Sequence, residues 1–60
     1  MFTLSLRTIG NQTALFDGDY DKVMTLAHAI EAFPESYVRL EVYETETCET
    51  KYLKKSDYWA

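Results

Sequence analysis

Asp19 to Pro34 reads DYDKVMTLAHAIEAFP, and Tyr37 to Glu44 reads YVRLEVYE. The two stretches carry different periods, and the change between them decides the fold. In the first, Tyr20, Val23, Leu26, Ala27, Ile30 and Phe33 recur at helical spacing and form one apolar stripe. Asp21, Lys22, Thr25 and Ala32 fall on the other side. Pro34 disfavours helical geometry at the residue before it, so the pattern predicts a helix from Tyr20 to Phe33. In the second stretch Val38, Leu40 and Val42 alternate with Tyr37, Arg39, Glu41 and Tyr43. A period of two with β-branched and aromatic residues predicts a strand.

Working outward, Phe2, Leu4 and Leu6 alternate with Thr3, Ser5 and Arg7, which predicts a first strand. Gly10-Asn11 marks a turn. Thr13 to Phe16 pairs back as a short second strand. Beyond Glu44, the polar run Thr45-Glu46-Thr47-Cys48 predicts a turn, and Glu49 to Leu53 a returning strand. Lys54-Lys55-Ser56 ends it and leaves the tail Asp57-Tyr58-Trp59-Ala60. The assembly is a single α+β domain over residues 1–60, a two-layer ββαββ unit with one helix on a mostly antiparallel sheet. The alternative is βαββ, with Thr13–Phe16 as loop. Phe2, Leu4, Leu6, Val38, Leu40 and Val42 are expected to meet the helix stripe.

Composition narrows the function classes. With 60 residues, the chain has room for one core and little for a deep enzyme pocket. Its hydrophobic fraction of 47% and aromatic fraction of 15% belong to a folded domain rather than a disordered acidic tail. The net charge of −4 argues against direct nucleic-acid binding and favours a basic protein partner. The single cysteine, Cys48, allows no intrachain disulfide and fits a reducing compartment, so cytoplasmic localisation is expected. Met1 leads straight into the strand pattern, as expected of a complete small reading frame. No signal peptide or membrane span is expected.

Asp17, Asp19 and Asp21 alternate like the first ligands of a calcium loop. An EF-hand needs glycine at loop position six and a bidentate glutamate at twelve, where this chain has Lys22 and His28. Helix capping explains the aspartates better: Asp19 is the expected N-cap, Asp17 the alternative, and Asp21 complements the helix dipole. No metal site and no cofactor are expected. His28, the lone histidine, falls off the apolar stripe and is expected at the surface. Neither it nor Cys48 is accompanied by a glycine-rich elbow or oxyanion-hole loop, so no catalytic residue is assigned and no enzyme is expected.

Binding is the remaining class. One helix covers one sheet face, so Tyr37, Arg39, Glu41 and Tyr43 are expected on the other. Tyrosine and arginine are enriched at binding hot spots. Glu44 and Glu46, with Glu49, add an acidic hairpin. Trp59, with Tyr58, either folds over the open face or anchors a partner or second copy. In size, charge and strand–helix–strand pattern the chain resembles small acidic single-domain proteins common in phages and mobile elements; no individual residue is carried over. The resemblance implies a non-enzymatic inhibitor or modulator of a basic or nucleic-acid-handling host protein. The alternative is a self-associating structural protein, such as a homodimer, with no small-molecule ligand.

Overall fold

A computed structural model describes residues 1–57. The first strand, β1 (Phe2–Arg7), turns back into β2 (Thr13–Gly18). The turn closes where Asn11 N–H donates to the Thr8 carbonyl at 3.0 Å and Thr8 N–H donates to Gln12 at 2.9 Å. Asn11 takes φ 61°, a left-handed conformation that asparagine tolerates better than most residues. Strand β2 continues two residues past the expected Phe16, because its register against β1 runs from Arg7↔Thr13 to Phe2↔Gly18. The βαββ alternative, with this segment as loop, is therefore corrected.

Helix α1 (Tyr20–Glu31) follows at once. Asp19 is its N-cap, with extended backbone and a side chain that accepts from Lys22 N–H at 2.9 Å. Gly18 permits the close approach of strand end to helix: a Cβ there would lie 3.3 Å from the Lys22 side chain. The helix ends before the expected Phe33. Proline excludes helical backbone at Phe33, which takes φ −122° and ψ 82°, and Pro34 opens a 3-10 turn, Pro34–Ser36.

The chain then enters β3 (Arg39–Glu44), which starts two residues later than expected, and β4 (Thr50–Lys55), which starts one residue later and ends two residues later. The strand order is β2-β1-β3-β4 with every neighbour antiparallel. The first strand is thus central, and the helix carries the chain from one side of it to the other. Lys51 is an extra residue in β4: Val42 pairs with Tyr52 but Tyr43 with Thr50, a β-bulge. The β3–β4 turn holds Cys48 at φ 60° and is closed by Cys48 N–H donating to the Glu44 carbonyl at 2.8 Å.

Leu4, Val23, Ala27, Tyr37, Leu40 and Val42 form the buried core, flanked by Phe2, Leu6, Met24, Leu26, Ile30 and Tyr52. Each fully buried large aliphatic side chain contributes roughly 1.5–3 kcal/mol. Two expectations need correction. Val38 is only half-buried and stands outside the core cluster. Tyr37, expected outward, is 1% exposed. The strand begins at Arg39, so Tyr37 is not bound by its alternation; it leaves the 3-10 turn with extended backbone and closes the core. Tyr20 and Phe33, at the ends of the helical stripe, remain 46% and 60% exposed; Tyr20 packs edge-on to Phe2 with ring centroids 5.1 Å apart, and Phe33 lies beyond the end of α1.

Candidate interaction surface

Residues directly opposite in an antiparallel pair share a face, so the register maps the sheet face turned away from α1. One row across it holds Thr13, Arg7, Arg39 and Lys55; the next holds Leu15, Ser5, Glu41 and Leu53; the third holds Asp17, Thr3, Tyr43 and Thr50. Charge is graded along this face: the first row is cationic, and carboxylates enter in the second and third.

Local contacts fix several of these groups. Thr3 is buried; its hydroxyl donates to Asp17 at 2.7 Å and shares a second hydrogen bond with the Thr45 hydroxyl at 2.7 Å. The hydroxyl of Thr50 donates to Glu41 at 2.7 Å, and the other Glu41 oxygen faces the Arg39 guanidinium at 3.5 Å. Leu15 and Leu53 are 63% and 45% exposed.

Of the residues expected to bind, Arg39, Glu41 and Tyr43 stand together on this face. Tyr37 does not, being core. Glu44 lies opposite Phe2 on the helix side, where its carboxylate faces the Met1 ammonium at 3.4 Å and accepts the Glu46 backbone N–H at 2.8 Å. That backbone hydrogen bond is the main reason its carboxyl titrates below the usual range; desolvation opposes it, and the Met1 ammonium and Lys51 assist. Glu46 is exposed in the turn, and Glu49 pairs with Lys51. The Lys51 ammonium is raised above its ordinary value chiefly by its hydrogen bond to Glu49. Trp59 lies outside the described residues. The acidic hairpin and the open face are therefore neighbours rather than one patch.

The three alternating aspartates are used separately: Asp17 accepts from Thr3, Asp19 caps the helix, and Asp21 lies exposed in the first helical turn. Among the described residues, no group of three or more His, Cys, Asp or Glu is placed to hold a metal ion. His28 is exposed, with its ring edge-on to Tyr52 at 5.6 Å and Nδ1 3.9 Å from Glu31. The Tyr52 hydroxyl donates to the same Glu31, tying α1 to β4. Cys48 sits exposed in the β3–β4 turn. No helix among the described residues is long and apolar enough to cross a membrane.

Arg7, Leu15 and Leu53 were not singled out in the sequence. Their alternation was visible, but nothing in the linear order set Arg7 beside Arg39 or Leu15 beside Ser5; the strand register does that. Compared with known proteins, the chain matches no family model, no curated protein and no solved structure.

Proposed function

We propose that this chain is a non-enzymatic protein-binding module that docks through the open face of its sheet, around Arg39, Glu41 and Tyr43. One observation supports this most: Leu15 and Leu53 are exposed at the two ends of the row that contains Ser5 and Glu41. Apolar contact area beside tyrosine and arginine is the composition of a protein interface core. Glu44 and Glu46 lie beside the face and would steer a basic partner. With the resemblance in size and charge, this fits a cytoplasmic inhibitor or modulator of phage or mobile-element type, acting on a basic or nucleic-acid-handling host protein.

The test is capture of a partner from host lysate by the tagged protein, then kinetics on the purified pair. Tyr43→Ala should speed dissociation, weakening binding by ~1–3 kcal/mol. Glu44→Lys combined with Glu46→Lys should chiefly slow association and flatten its salt dependence. With circular dichroism like the parent, an unchanged dissociation rate in Tyr43→Ala would remove this face from the interface, and an unchanged association rate in the double lysine variant would remove the acidic hairpin.

A second reading is self-association through the edge of β2. Leu15 and Phe16 are 63% and 54% exposed on a strand that pairs on one side only. An exposed apolar edge is a template for strand addition. Sedimentation equilibrium over a range of concentrations separates the readings: a dimer lost in Phe16→Lys supports the second, and a concentration-independent monomer excludes it.

A further inference from the structure

Both arginines of this acidic chain, Arg7 and Arg39, stand directly opposite each other on adjacent strands of the open face. Lys55 continues the row on the next strand. Like charges directly opposite destabilise a sheet. Among the described residues no ion pair neutralises Arg7, and Arg39 has one, with Glu41. Glu41, which lies opposite Ser5, accepts from the Thr50 hydroxyl on β4 as well as facing Arg39. Between Arg7 and Arg39 lies a depression of about 160 Å³, lined by Ser5, Arg7, Thr13 and Arg39. The lining residues carry two guanidiniums, which only donate, and two hydroxyls, which can donate or accept.

We infer that Ser5, Arg7, Thr13 and Arg39 form a seat for a phosphate monoester. The seat stands on its own geometry and does not depend on the open face binding a protein. Two adjacent guanidiniums call for an anion that accepts several hydrogen bonds at once. A phosphate monoester bears roughly −1.5 to −2 charges at neutral pH and offers three acceptor oxygens. Arg39 already has Glu41 as a counterion, so what favours a phosphate over a carboxylate is the number of acceptor oxygens, three against two. Arginine forks match phosphate geometry in pairs of parallel hydrogen bonds. The hydroxyls of Ser5, on β1, and Thr13, on β2, add donors. The volume suits one such group with accompanying water, a water occupying roughly 30 Å³. Extended nucleic acid is a poorer occupant: the cationic groups form one row, and the chain as a whole carries −4.

The experiment is titration of isotope-labelled protein with phenyl phosphate, inorganic phosphate and benzoate at constant ionic strength, followed by amide chemical shifts. The expected result is saturable shifts at Ser5, Arg7, Thr13 and Arg39 with phenyl phosphate, and weaker binding of benzoate. Arg7→Gln and Arg39→Gln should each weaken phenyl phosphate by about tenfold or more, the loss of a charge-assisted hydrogen bond. Lys22→Gln, a helix cation away from the seat, should bind like the parent. Tighter binding of phenyl than inorganic phosphate assigns the seat to a phosphate carried on an organic body; equal binding assigns it to the free anion. Shifts that fail to saturate, benzoate binding as tightly as phenyl phosphate, or equal losses in Lys22→Gln and Arg7→Gln would each overturn the proposal. Removing one guanidinium also relieves repulsion, so Arg7→Gln should fold at least as stably as the parent, which separates lost binding from lost structure.

Discussion

Thr3 and Asp17 are joined across the β1–β2 pair by a 2.7 Å hydrogen bond, and Thr3 is bonded again to Thr45 at 2.7 Å. A residue facing away from the helix is therefore buried with its hydroxyl satisfied on two sides. Thr3→Val keeps the shape and removes the hydroxyl that serves both neighbours. It should lower unfolding free energy by about 1–2 kcal/mol in denaturant titration, whereas Thr3→Ser should stay near the parent. A neutral Thr3→Val would mean that water satisfies Asp17 and Thr45 equally well.

Tyr37 belongs to the core, so its truncation should damage folding before it touches any surface function. Tyr37→Ala should destabilise by about 3–5 kcal/mol, in the range of large aromatic deletions. Ile30→Ala, at a half-buried position, should cost less than Tyr37→Ala, and His28→Ala should stay within about 0.5 kcal/mol. Thermal or chemical unfolding of the three variants in parallel checks the ranking.

Cys48 occupies the left-handed region at φ 60°, where a side chain meets its own carbonyl. Glycine relieves that contact, so Cys48→Gly should raise stability by about 1 kcal/mol despite its greater freedom when unfolded. Cys48→Val should lower it, because a β-branched residue fits that region worst. Melting temperatures in the presence of reductant give the comparison without intermolecular disulfides.

Glu44 titrates below the usual carboxylate range, mainly through the hydrogen bond from Glu46 N–H. A depressed folded-state pKa stabilises the protein at pH above the unfolded value, and that stabilisation is lost as pH falls through the folded pKa. The acid limb of stability against pH should therefore be shallower in Glu44→Gln than in the parent, with the two curves converging at low pH. Denaturation midpoints measured across the acid range provide the test.

Asp19→Ala removes the helix N-cap and should cost about 1 kcal/mol, most of it restored by Asp19→Asn or Asp19→Ser. Calcium should leave the melting temperature unchanged, since the Asp19 and Asp17 carboxylates are engaged with Lys22 N–H and the Thr3 hydroxyl. A rise with calcium that Asp17→Asn abolishes would oppose this assignment.

The sequence by itself determined the elements and the layering. Helical and two-residue periods are local properties of side-chain spacing, so α1, β1 and β3 were legible, as were the Asp19 cap, the turn at Gly10-Asn11 and the break at Pro34. The tertiary structure decided what depends on residues far apart in the chain. Only the β1–β3 register sets Arg7 beside Arg39, because either strand alone presents a single cation. Only packing takes Tyr37 inward, since alternation binds a residue just as far as its strand extends. Pairing against β1 likewise lengthens β2, whose own sequence is a weak strand signal, and the Lys51 bulge puts Thr50 beside Tyr43. Glu44 parts from Glu41 and Tyr43 for a simpler reason: neighbouring residues of a strand point to opposite faces, and the helix occupies one of them.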